Sequence, residues 1–534
     1  MPDAAHLLLR ALPWLLAGGA MAGAGEDAGV AIYMQGLSVS GAPIQARVSA
    51  DVPLTGSAAA CTNCHRASGL GTAEGRARSL PIVAASLFAE RPPPAARPAY
   101  DDATLLRAIT QGVSASGRVL DPLMPRYQFD AADGAALLAH LHRLGSEPAP
   151  GVTQDEVVLA TVVWEGAPIA QREATTRVLE RFVQLKNAGA RQEARRAEVA
   201  RRHPFGERHD RGWKRWRLVT WQLHGSPGTW AGQLREQYDK DPPFLLFSGT
   251  AGEHWREVHG FCEQQRLPCI LPMTTSPPDA QGDFYSVYFN AGARLDGAVI
   301  ARHVAQRAGE TPRRIVVARQ EGAEAQAALA ALAAASGTGS NAAHVEERVL
   351  PRGRPDAGYW MQLLRQARPD VLVMLADADR LEGLDAALRA QGLVLPLYTS
   401  ATFTRWSPGA ALLSQPQLWH VQAYNFAAGN RAAFARESQW LRSQKLDQLD
   451  PLYASQALFA CHIVGEQLAA LTGNYSREYF IEGLEHMLDS TNMTSLVPRT
   501  TLGQGQRFIS RGAFVLPASS LVRGDGAGAT WVEN

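Results

Sequence analysis

Cys61-Thr62-Asn63-Cys64-His65 is the stretch whose chemistry is most sharply defined. Two thiols three positions apart, followed at once by an imidazole, are what covalent attachment of a c-type haem requires: the cysteines add across two vinyl groups as thioethers and the histidine ligates the iron. A zinc site would want a second pair of ligands nearby, and none follows. Met124 stands 59 residues after His65 (124 − 65), within Asp121-Pro122-Leu123-Met124-Pro125-Arg126-Tyr127. A soft thioether on a proline-stiffened loop is well placed as the second axial ligand, and methionine opposite histidine raises the reduction potential. The segment from Asp130 to Leu141 follows, with a capping carboxylate and apolar residues at helical spacing. His140 and His142 are the rival ligands, on what reads as the solvated face of that helix.

This arrangement resembles the single-haem class I cytochrome c family over residues 30–144, including Ile32-Tyr33 with Gly36 before the haem motif and Leu105-Leu106-Arg107-Ala108-Ile109 with Gly112 before the methionine loop. The resemblance implies an all-α cytochrome c domain, taken here as residues 30–146, with one covalent haem c on Cys61 and Cys64. His65 would be the proximal iron ligand and Met124 the distal one, with Pro81 and Tyr127 in the haem pocket. Pro81 sits where the family keeps a proline whose carbonyl orients the proximal imidazole.

These residues must be carried by a long chain. At 534 residues it exceeds what one core can serve and predicts about three domains. A net charge of +1, with 19% charged and 46% hydrophobic residues, is an ordinary globular balance that argues against nucleic acid as the main partner. Residues 1–24 read as an export signal, with an apolar run from Leu7 into Ala24 and small residues at Ala20, Ala22 and Ala24 for cleavage. Arg10 and Pro13 interrupt the run, so an uncleaved anchor stays open, and only then would a membrane be a partner. Export to a periplasm of the Gram-negative type agrees with where haem is attached in the family. Cys262 and Cys269 flank Glu-Gln-Gln-Arg-Leu-Pro and would form a disulfide or remain two thiols, while Cys461 reads as a core thiol.

Glu147-Pro148-Ala149-Pro150-Gly151 cannot continue a helix, and residues 147–154 read as a linker. Beyond it, short apolar runs alternate with helix-length amphipathic stretches. The runs are Val157 to Val163, Arg217 to Thr220, Phe244 to Phe247, Cys269 to Pro272, Arg314 to Ala318 and Val371 to Leu375. Such alternation predicts parallel sheets with helices on both faces. The Arg-rich run 191–217 reads as a solvated helix, with a docking surface for an acidic partner as the rival reading.

The order of Phe244-Leu-Leu-Phe-Ser248-Gly249-Thr250, Leu267-Pro268-Cys-Ile-Leu-Pro272-Met273-Thr274-Thr275-Ser276 and Phe284-Tyr-Ser-Val-Tyr-Phe289 resembles the type I periplasmic binding proteins, nearest the branched-chain amino-acid-binding group. That resemblance implies a two-lobed α/β domain over residues 155–514, with lobe 1 at about 155–285 and 425–500 and lobe 2 at about 286–424. Residues 515–534 are then a C-terminal tail. The ligand cleft would lie beyond the carboxyl ends of the strands. Ser248, Thr250, Thr274 and Thr275 match the loops that hold an amino acid in that family. In lobe 2, Arg319-Gln320-Glu321-Gly322 departs from the pattern, and Asp377 would either hold an ammonium or cap the next helix.

The expectation is therefore a periplasmic electron carrier rather than an enzyme, with a fused solute-binding-like domain that takes a small ligand or docks a partner. Its partners would be a periplasmic dehydrogenase and an acceptor cytochrome or oxidase. The alternative is an ABC-transporter-type solute receptor or sensor in which the haem is a redox gauge.

Overall fold

A computed structural model describes residues 28–534, apart from 50, 75–76, 92–95, 147, 202–213, 280–281, 309–312, 338–342, 405–408, 425–434, 472–473, 491–495, 504 and 524–526. The export signal at 1–24 and much of the Arg-rich run 191–217 lie outside the described residues. The chain divides into two compact units, Met1–Ala149 with Asn474–Glu482, and Pro150–Gly473 with Gly483–Asn534.

The first unit is not all helical. Helical residues 28–35, Thr62–His65, Ala84–Leu87, Asp102–Gln111 and Ala131–Arg143 surround a three-stranded antiparallel sheet. Its strands run in the order Val52–Thr55, Gln45–Val48, Arg126–Gln128. The expectation of an all-α domain missed this sheet because each strand has only three or four residues, too few to show a two-residue period. A capping box between Asp101 and Thr104 starts the Asp102–Gln111 helix, and Gly112 at φ 72° ends it in the left-handed region. Ile32, Tyr33, Leu105, Ile109, Tyr127, Leu137 and Leu141 form the core. At Gly29 a Cβ would lie 2.3 Å from the Ala136 carbonyl oxygen, so the first helix crosses Ala131–Arg143 at backbone distance.

The second unit contains two sheets. One is five-stranded and wholly parallel, in the order Ser286–Val287, Cys269–Ile270, Leu245–Phe247, Glu156–Trp164, Arg215–Leu223. The other runs His344–Val349, Arg314–Arg319, Val371–Leu375, Leu397–Ser400, Leu418–Gln422, Gly512–Pro517, Thr530–Glu533. Its first five strands are parallel and its last two antiparallel, so the expected parallel sheet is mixed at one edge. Residues 515–534 are not the expected tail: they carry most of the last two strands and the Ala518–Arg523 helix between them.

Alternate residues of the second sheet feed two cores. Ile315, Val317, Val371 and Val373 face one, and Val316, Ala318, Leu372 and Met374 the other. Burial on both faces is why these strands read as unbroken apolar runs. His344–Val349 lacks that signal because it is the edge strand, with no fully buried residue.

The chain passes between the lobes at paired segments. Tyr288 N–H donates to Arg507 O at 2.8 Å, Ile509 N–H to Tyr288 O at 2.9 Å and Ser510 N–H to Phe289 O at 2.9 Å. The Pro451–Ala470 helix returns to pack on Ile169–Arg201. Cys262 and Cys269 are not bridged: both are buried thiols in the core beneath the first sheet. No helix among the described residues is long and apolar enough to cross a membrane.

Candidate functional site

Two sites follow from these elements, one in each unit. In the first unit, Thr62–His65 forms a single helical turn that holds the motif cysteines and His65 together. His65 Nδ1 lies 3.1 Å from the carbonyl oxygen of Leu80. A bond there commits Nδ1–H to the backbone and leaves Nε2 as the ring nitrogen that could ligate a metal. The orienting carbonyl thus belongs to Leu80, the residue before Pro81, rather than to Pro81 itself. Burial lowers the His65 pKa and so keeps the imidazole neutral, the form that binds a metal.

Cys61 and Met124 are half-buried and pack against the same apolar cluster, while Cys64 is exposed. Burial pushes the Cys61 thiol up to about 11, with Tyr127 acting in the opposite sense. Tyr127 is itself buried and donates its hydroxyl to Ala59 O at 2.8 Å, which ties it to the segment leading into the motif. Met124 sits on a turn closed by its own N–H to Asp121 O at 3.0 Å. Arg126 braces that turn by donating to Met124 O and, at 3.2 Å, to Leu120 O. Its guanidinium runs so close to Gly112 that a Cβ would meet Arg126 Nε at 1.9 Å.

The rival histidines have different settings on the closing helix. His142 is exposed, stacks on Phe88 at 3.9 Å and pairs with Asp102 at 2.7 Å, and His140 packs on Tyr33 at 4.9 Å. The donor set of two thiols, a neutral imidazole and a thioether beside an apolar cluster fits a covalently held haem.

In the second unit the Leu245–Phe247 strand delivers Ser248-Gly249-Thr250 to its carboxyl end. Ser248, at φ 52°, and Thr250 are fully buried, and neither hydroxyl has a hydrogen-bond partner among the described residues. Gly249 admits no side chain: a Cβ would stand 2.9 Å from Trp255 and 3.0 Å from Val162 O. The next loop divides its labour. Thr274 is not available as a ligand hydroxyl because it donates to Gly252 O at 2.7 Å and accepts from Ser276 N–H. Thr275 instead donates across the lobes to the Glu324 carboxylate.

Asp377 is exposed at the end of the Val371–Leu375 strand and makes no side-chain cap, while its N–H donates to Gln320 Oε1 at 2.9 Å. The capping role weighed for it is therefore not what the structure shows.

Three carboxylates that sequence reasoning passed over join this place: Glu324, Glu253 and Asp296. Burial raises the Glu324 pKa, and Glu253 and Asp377 add to it, against the Thr275 hydroxyl and His254. Asp296 is 2% exposed. Burial lifts its pKa to about 6, opposed by Thr402 and Ser400 and assisted by Glu324. The signal for Glu324 lay two residues beyond the divergent Arg319–Gly322 loop. Asp296, in the first turn of the Ala293–Ala308 helix, looked like any helix-starting acid.

A pH dependence follows from Asp296. Its folded pKa of about 6 exceeds the ordinary 3.8, so the unfolded chain ionises first as pH rises. Stability should therefore fall between about pH 4 and pH 6, by about 3 kcal/mol at 1.36 kcal/mol per pKa unit. Asp296→Asn should remove that part of the decline, as read from urea midpoints at pH 4.5 and 7.

No protein-family model matches this sequence, and no curated protein does. Solved structures do. A fatty acid ABC transporter substrate-binding protein from Thermomonospora curvata is 14% identical, covering 72% of this chain and 94% of its own, with a TM-score of 0.50. An ABC transporter substrate-binding protein from Sphaerobacter thermophilus is likewise 14% identical, covering 68% of this chain and 93% of its own, also at 0.50. At such identity the likeness is one of fold. The α/β part of this chain, with its largely parallel sheets, shares the fold of these substrate-binding proteins.

Proposed function

We propose that this chain is an exported solute-binding receptor of the ABC-transporter type, acting in the periplasm, whose first unit bears one covalent haem c. The receptor reading rests above all on the cleft, where Thr275 of one lobe meets Glu324 of the other. Two lobes joined by paired crossover segments can close on a small ligand by hinge motion. This reading makes the protein a binding protein rather than an enzyme, with a transporter or sensor as its partner. The test is a melting-temperature screen of the haem-loaded protein against amino acids, amines, organic acids and sugars. A ligand that raises the melting temperature, and does so less in Thr275→Val, is expected; silence across the set overturns the reading.

The first unit favours a second reading, electron transfer. His65 and Met124 are the residues that would hold a haem c, and the group would supply one-electron chemistry there. The chain's part is to aim His65 through Leu80 O and to present Met124 on the turn braced by Arg126. Donor and acceptor would then be a periplasmic dehydrogenase and a second cytochrome or an oxidase. Met124→Ala should abolish the weak red-edge absorption band of the oxidised, haem-loaded protein and lower its reduction potential. An unchanged spectrum would move the second ligand to a histidine such as His140.

A further inference from the structure

Carboxylates gather where the two lobes meet, and among the described residues no Lys or Arg pairs with them. Hydrogen bonds gather four carboxylates around one loop. Thr275 O accepts the N–H of Ala293 at 2.9 Å, which sets Asp296 one turn further along the same helix. The Thr275 hydroxyl donates to Glu324. Thr274 holds Gly252 O at 2.7 Å and so brings its neighbour Glu253 alongside. Asp377 is tied by its N–H to Gln320, four residues before Glu324. Among the described residues none of the four has a Lys or Arg partner, and Glu253 has only His254, at 3.9 Å.

Surface carboxylates alone would be dispersed by water and salt. Asp296 differs: it is 2% exposed, and its Oδ2 has no hydrogen-bond partner among the described residues. A buried carboxylate oxygen left without a donor is costly unless a donor arrives. Ser248 and Thr250, at the carboxyl end of the Leu245–Phe247 strand, also carry buried hydroxyls without a partner among the described residues.

We propose that the cleft of the second unit binds a small organic cation bearing a primary ammonium group, with Asp296 and Glu324 as its main acceptors and Glu253 and Asp377 drawing it in. This rests on the receptor reading above and names the ligand class for that cleft. An ammonium supplies three donors and a positive charge, which matches a set of carboxylates and hydroxyls. It would satisfy Asp296 and offset the mutual repulsion of the carboxylates.

The experiment is calorimetric titration of the full haem-loaded chain with 1,4-diaminobutane, leucine and butanoate. Diaminobutane should bind at least tenfold more tightly than leucine, and butanoate should not bind. Asp296→Asn and Glu324→Gln should each weaken diaminobutane at least tenfold, and Asp377→Asn, at an exposed position where folding is not at stake, about threefold, with the loss shrinking at high salt. Leucine or butanoate binding in preference to the amine overturns the cation assignment and leaves the receptor reading intact. Amine affinity unchanged in Asp296→Asn and Glu324→Gln overturns it as well. If none of the three binds and the wider solute screen is also silent, the receptor reading falls with it.

Discussion

Replacing Cys61 and Cys64 together by serine will yield an exported chain with no covalently bound haem, the largest effect expected of any substitution here. Thioether formation consumes one thiol per vinyl group, and a hydroxyl cannot take its place. The two cysteines differ in setting: Cys64 is exposed, whereas Cys61 is half-buried with its thiol held protonated up to about 11. Each single serine variant should therefore keep at most one thioether and lose most of its haem under denaturing conditions. The measurement is haem staining after denaturing electrophoresis, with intact mass as a second readout. Cys461→Ser is the control, because that thiol is buried in the Pro451–Ala470 helix of the other unit. Haem retained at the wild-type level in the double variant would end the haem assignment.

Arg507→Met is expected to cost the second unit roughly 3–5 kcal/mol, the range for breaking a buried ion pair from one side. Arg507 is 1% exposed and pairs with Glu485, itself buried. Its guanidinium also donates to Phe284 O at 3.0 Å and Gly503 O at 2.8 Å, so it ties both crossover segments to one point. Removing it takes from the buried Glu485 carboxylate the guanidinium it pairs with. The double variant Arg507→Met with Glu485→Met should recover most of the loss, because both halves of the pair are then apolar. Urea unfolding of all three proteins at pH 7 measures this. A single variant within 1 kcal/mol of wild type, taken as small on the scale of point mutants, would show that the pair is not a determinant of stability.

Both predictions concern residues whose visibility in the sequence was unequal. The cysteines announce themselves, since their chemistry depends on spacing within five residues. Arg507 gave no sign, because an arginine in a loop reads as solvated until the fold surrounds it with Glu485, Phe284 and Gly503. The hydroxyl loops follow two strands of the first sheet, and their side chains are in unlike settings. Thr274 is occupied with the backbone, Thr275 reaches the other lobe, and Ser248 and Thr250 are sealed below.

By itself the sequence determined the spacing of Cys61, Cys64 and His65, the alternation of buried strands with helices, and the loops that end those strands. Each is set by residues close along the chain: covalent spacing in the motif, and burial on both faces in the apolar runs. Only the tertiary structure decided that Leu80, not Pro81, faces His65, that residues 515–534 complete a sheet, and that the cleft is acidic. These depend on partners far apart in sequence, such as Thr275 and Glu324 at a separation of 49. Whether a polar side chain is spent or available is fixed by what the fold brings to it, and no local pattern carries that information.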